Sequence, residues 1–147
     1  MKMSKMMMTA GLLAGALVSA PGDGLAGSSP EDEVRAAVRA YVAGADAQDT
    51  AAVEKTVHPA FRVVASMGGT GEISLMSKAD YLKLLDAKKI GGAKRKVTME
   101  WTKQKGNIAF VKAVLDSDAA RFDALYTVVR HEGRWVVVED AVRFDGK

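Results

Sequence analysis

Val34, Val38, Tyr41, Val42 and Ala45 recur at three- and four-residue spacing, which draws one apolar stripe along a helix and leaves Arg35 and Arg39 off it. Ser29 ahead of Pro30, Glu31 and Asp32 supplies an N-cap, a first-turn proline and acids beside the positive helix end. A helix is therefore predicted from this point to about Ala45. After a polar turn over 46–50, residues 51–57 read as a second, short helix. His58-Pro59 stops it, because a proline disfavours the helical conformation in the residue before it.

The period then changes. Residues 61–65 read as a strand, Gly68, Gly69 and Gly71 turn the chain, and residues 72–76 read as the hairpin partner. Ser77 with Asp80 three residues on marks the start of a third helix, 78 to about 88, with Tyr81, Leu84 and Leu85 on one face. Gly91-Gly92 breaks it. Four strand-like runs follow, at 96–103, 108–115, 122–130 and 134–144, the last two joined by His131-Glu132-Gly133. Short turns between them predict an antiparallel meander, and the whole order predicts an α+β domain with the helices on one face of a curved sheet. Ile108-Ala109-Phe110-Val111 is apolar on both strand faces, of which one core covers only one, so a homodimer is expected.

The first residues have a different composition from the rest. Lys2 and Lys5 precede an apolar stretch from Met6 to Ala20, the order and length of a secretory signal peptide and too short for a permanent span. The expected division is a signal peptide over 1–26, a linker and helix start over 27–32 and the folded domain over 33–147. The mature chain is expected to be periplasmic or secreted, without stable membrane insertion. With no cysteine among 147 residues, disulfides, thiolate nucleophiles and sulfur-based zinc sites are excluded, as is a cysteine-linked lipid anchor. Loss of Lys2, Lys5 and Asp23 lowers the formal charge from +3 to about +2, too little to imply a nucleic-acid partner.

The element order, with the segments YVAGADAQD (41–49), HPAF (58–61), SKADY (77–81) and GRW (133–135), resembles the NTF2-like superfamily, and within it the SnoaL-like and putative lumazine-binding groups. The resemblance covers roughly Glu33 to Phe144. It implies an NTF2-like cone, a curved antiparallel sheet with about three helices on its concave side, a small-molecule cavity at the mouth and a tendency to dimerise. It implies no single chemistry, because the superfamily holds isomerases, dehydratases, cyclases and non-catalytic binding modules.

The resemblance puts Tyr41 where ketosteroid isomerases of the superfamily project a hydrogen-bonding tyrosine into the cone. Their base would fall at about Ala65, between Val64 and Ser66, so that mechanism lacks its carboxylate. His58 is of a residue type that serves as a general base, although many members of the superfamily carry the same His-Pro dipeptide irrespective of activity, which points to structure. His131 belongs to a turn, and two histidines so far apart in sequence supply no metal site. Glu139 and Asp140 are adjacent on a strand, so alternation turns one of them inward, and Asp123 on the preceding strand is placed to face it. The competing account pairs these acids with Arg121, Arg130 or Arg143. Trp101 and Trp135 read as core, and Lys83, Lys88, Lys89, Lys94, Arg95 and Lys96 as a solvated basic face. The cavity candidates are thus Tyr41, His58, Asp123, Tyr126 and Glu139, with no metal and no cofactor. The expected function is an exported small-molecule binding protein. The alternatives are a cofactor-independent SnoaL-like isomerase, dehydratase or cyclase working by acid/base chemistry, and a purely structural or partner-binding dimer.

Overall fold

The computed structural model describes residues 28–147; the expected signal peptide lies outside them. Helix α1 (Pro30–Asp46) starts on a capping box, in which the Ser29 hydroxyl accepts from the Asp32 amide and the Asp32 carboxylate accepts from the Ser29 amide. Its stripe of Val34, Val38, Tyr41, Val42 and Ala45 is buried. The Asp49 carboxylate caps α2 (Thr50–Thr56) by accepting from the Ala52 amide, and Gly44 lets the two helices approach, since a side chain there would press on Val53.

The chain passes directly from α2 into β1 (Val57–Met67), longer than the pattern suggested, and turns into β2 (Ile73–Ser77). Ser77 then caps α3 (Lys78–Asp86). The meander follows as β3 (Lys96–Lys105), β4 (Ile108–Asp116), β5 (Ala120–His131) and β6 (Arg134–Gly146).

The strands form one curved, unclosed six-stranded sheet in the order β2-β1-β6-β5-β4-β3. It is α+β as expected, but the sheet is mixed and not wholly antiparallel. β6 inserts beside β1 and runs parallel to it, Val63 lying next to Asp140 and Ala65 next to Val142. A meander predicted from short turns contains no information about how its last strand meets its first, and the intervening chain supplies the long crossover that a parallel pair needs.

Two bulges reset the alternation of side chains. In β3 the register slips between Met99, opposite Ala113, and Trp101, opposite Lys112. The extra residue moves Trp101 to the outer face, where it is 43% exposed, correcting its assignment to the core. In β6 the slip falls between Val137, opposite Val128, and Glu139, opposite Thr127. Residues up to Val137 face inward at odd numbers, and beyond the bulge the inward positions become Asp140 and Val142. Trp135 does join the core.

The helices cover the concave face, so that Val34, Val38, Tyr41, Val53 and Leu85 pack with Val63, Val111, Tyr126, Val128 and Val137 in one core. The loop after α3 is tied to the end of α1. Gln48 donates to the Ile90 carbonyl (3.0 Å), and the Arg95 amide and Nε both donate to the Asp46 carboxylate (3.1 and 2.7 Å). Gly91 (φ +77°) lies against the Ala45 carbonyl, where a side chain would overlap it.

Candidate functional site

Where this loop, the end of α1 and the wide half of the sheet meet, the cone encloses a cavity of about 260 Å³. Its wall is apolar, with Ala65, Met76, Leu115, Phe122, Val142 and Phe144 among the lining residues. Four polar side chains reach it: Arg95, Tyr81, Tyr126 and Asp140.

Asp140 is the only buried charged residue among those described. The Tyr41 hydroxyl donates to its Oδ2 at 2.7 Å, and its Oδ1 is buried with no hydrogen-bond partner in the protein. Burial pushes the Asp140 carboxyl up to about 6, against the opposing pull of the Tyr41 hydrogen bond and the Arg95 charge. Burial, and after it the Asp140 charge, raise Tyr41 well above its ordinary value; the same two causes push Tyr81 up to about 12 and raise Tyr126. All three tyrosines therefore stay protonated at neutral pH. The carboxyl titrates close to physiological pH, so it is able to accept a proton or a hydrogen bond above pH 6 and to donate one below. The rings of Tyr41, Phe61, Tyr81 and Tyr126 lean on one another at centroid distances of 5.5–6.2 Å, which fixes the hydroxyl against the acid.

Arg95 stands at the rim. Its guanidinium lies 4.8 Å over the Phe122 ring, and its ion pair with Asp46 is largely shielded, the side chains being 13% and 15% exposed. The same residues border a broader groove of about 470 Å³ outside, between α1 and β3. That groove is larger but open, and its carboxylate, Asp46, is already paired with Arg95, so the cone cavity with its unpartnered buried acid is the better candidate.

The sequence candidates are distributed unevenly. Tyr126 lines the cavity and stands opposite Asp140 across β5 and β6, whereas Tyr41 is not among the lining residues and bears on the site through its bond to Asp140. Glu139 lies on the outer face, where Arg62 donates to it at 2.7 Å; the bulge before it exchanged its direction with that of Asp140. Asp123 also faces out, opposite Arg143 and within 3.4–3.6 Å of Arg121 and Lys112. His58 is not among the residues that line the cavity. Its Nδ1 accepts from the Ala60 amide (2.9 Å), and its ring meets His131 at 4.6 Å, so the two histidines are neighbours in space. No third His, Cys, Asp or Glu joins them in a metal-holding group among the described residues. Arg95 and Asp46 were missed. One is hidden in a basic run and the other in a polar turn, and only their contact marks them.

The family model described as putative lumazine-binding matches residues 29–141, which include both helices and strands that build the cavity. The chain belongs to the putative lumazine-binding family. No curated protein matches it. Among solved structures it is similar to an NTF2-like protein of unknown function from Silicibacter pomeroyi DSS-3 (22% identity, 85% of this chain and 98% of that one, TM-score 0.67). It is also similar to an NTF2-like protein of unknown function from Methylobacillus flagellatus KT (14%, 80% and 95%, TM-score 0.66). A ketosteroid isomerase-like protein from Erwinia carotovora atroseptica SCRI1043 matches as well (16%, 80% and 97%, TM-score 0.61). At these identities the likeness establishes the NTF2-like fold and nothing of the chemistry. In this family member Ala65 lines the wall where an isomerase base was sought, and the carboxyl arrives instead from the neighbouring strand at Asp140.

Proposed function

We propose that the protein binds a small, mostly apolar molecule in the cone and holds its polar group on Asp140, which the Tyr41 hydroxyl braces. The observation that carries this reading is a buried carboxyl with an unpartnered oxygen on the wall of an otherwise apolar cavity. Burying an acid costs stability, and a side chain needed only for packing would be apolar. Native mass spectrometry of protein from its own compartment tests the reading: a bound mass is expected with the natural chain and lost in Asp140→Leu. A bound mass retained unchanged in that variant would count against it.

The second reading is a cofactor-independent SnoaL-like enzyme in which Asp140 moves a proton. Its titration near pH 6 favours this. The two are separated by turnover of a captured ligand with a pH inflection near 6 that disappears in Asp140→Asn.

Two further proposals concern the whole protein. Export of a mature chain beginning near Gly27 rests on the leader, and the intact mass of the secreted form decides it. A homodimer through the outer sheet face is supported by a row crossing all six strands, in which Leu75, Val64, Ala141, Leu125, Lys112 and Trp101 are successive neighbours. Leu75 and Trp101 are 69% and 43% exposed. The charges in and beside the row are already paired, Lys112 with Glu100 and Asp123 and Arg62 with Glu139, so a second copy fits it without new counter-charges. Light scattering should report twice the monomer mass and a monomer for Leu125→Asp; a natural chain that stays monomeric would exclude the interface.

A further inference from the structure

The polar groups of the cavity differ in sign and in what they lack. At the wall, Asp140 Oδ1 is an acceptor without a donor. At the rim, Arg95 gives its amide and Nε to Asp46, while its η nitrogens make no hydrogen bond to the protein among the described residues. The guanidinium is anchored on one side by Asp46 and lies over the Phe122 ring at 4.8 Å, which restrains it at the rim. Arg95 lines the same cavity as Asp140, Tyr81 and Tyr126, which puts the cation in the same enclosure as the acid. Between the two ends the wall is apolar and aromatic, and the space equals about nine liquid water volumes, the room a two-ring molecule fills.

We infer that the ligand is a compact ring molecule polar at two ends, with a hydrogen-bond donor seated on Asp140 Oδ1 and an anionic acceptor, such as a carboxylate, seated on the η nitrogens of Arg95. The inference deepens the binding reading and rests on it. A ligand that is only apolar leaves a buried carboxylate oxygen unpaired, and one that offers a carbonyl to Asp140 sets acceptor against acceptor at neutral pH. The Asp46 carboxylate does not cancel the rim site, because it occupies the Nε side of the guanidinium and leaves the other edge for a second oxygen.

Four probes separate the ends by isothermal titration at pH 7.5: naphthalene, 2-naphthol, 2-naphthoate and 6-hydroxy-2-naphthoate. The hydroxyl should strengthen binding about tenfold over naphthalene, as a hydrogen bond to a buried charge does. The carboxylate should add a further gain, and 6-hydroxy-2-naphthoate should bind tightest. Asp140→Leu should erase the hydroxyl gain, because no polar partner remains for the ligand's hydroxyl, and leave the carboxylate gain; Arg95→Met should do the reverse. Should either variant fail to fold, the four affinities of the natural chain decide alone. Equal binding of naphthalene and 2-naphthol, or a hydroxyl gain with no carboxylate gain, overturns the two-ended ligand while the binding cavity stands. If none of the four binds, the cavity reading falls with it.

Discussion

Replacing Asp140 by Asn keeps the shape of the side chain and removes its charge, so it isolates the cost of holding an acid in the cone. The carboxyl titrates at 3.8 in the absence of the fold and at about 6 within it, because burial disfavours the charged form. The folded chain therefore binds this proton more tightly than the unfolded chain. The penalty is absent well below pH 3.8, grows as pH rises through the interval from 3.8 to about 6, and is complete above it. By linkage it amounts to about 3 kcal/mol at pH 7.5 and about 0.5 kcal/mol at pH 4. Asn carries no such term. The variant's stability relative to the natural chain should thus improve by about 2.5 kcal/mol between pH 4 and pH 7.5. That difference survives any constant loss from a poorer bond to Tyr41 or from an orphaned amide hydrogen, since such losses are the same at both pH values. Urea unfolding of both proteins at the two pH values measures it. A stability difference that is the same at pH 4 and 7.5 would show that Asp140 is not held charged in a dry site, and the argument for a poised acid would fail.

Tyr41→Phe removes the donor that pulls the Asp140 pKa down, so the variant should lose about 1–2 kcal/mol and titrate Asp140 above 6. Carbon NMR of the carboxyl reads this, and an unshifted titration would deny the hydrogen bond. Gly91→Ala should cost at least ~2 kcal/mol, because it combines positive φ with overlap on the Ala45 carbonyl. Gly133→Ala, at φ +84° but in open space, should cost only about 1 kcal/mol, and equal losses in urea would show that the mouth loop is not packed as described.

Much of the fold was legible because it depends on local chemistry. The Ser29 and Ser77 caps, the apolar stripe from Val34 to Ala45 and the turn at Gly133 act over three or four residues, and each appears where its pattern stands. Tyr41 and Tyr126 were legible as inward aromatics for the same reason, one on the stripe of a helix and one on an alternating strand. Arg95 and Asp46 carry no such signal. Their roles arise from a contact across 49 residues, and lysines flank Arg95 on both sides in the chain.

By itself, then, the sequence determined three helices, the first and third with their caps, the strands and their turns, the absence of any thiol chemistry, and the presence of one inward acid at 139 or 140. Which acid it is belongs to the tertiary structure. Counting inward from Trp135 and Val137 by twos selects Glu139, and a single extra residue in β6 opposite Thr127 and Val128 selects Asp140. A bulge reverses every later side chain of its strand, yet it is set by how two strands accommodate one another and not by the residues of either alone. The parallel contact of β6 with β1 is of the same kind. It completes the cone that removes Asp140 from water, and that burial gives an ordinary aspartate a pKa of about 6.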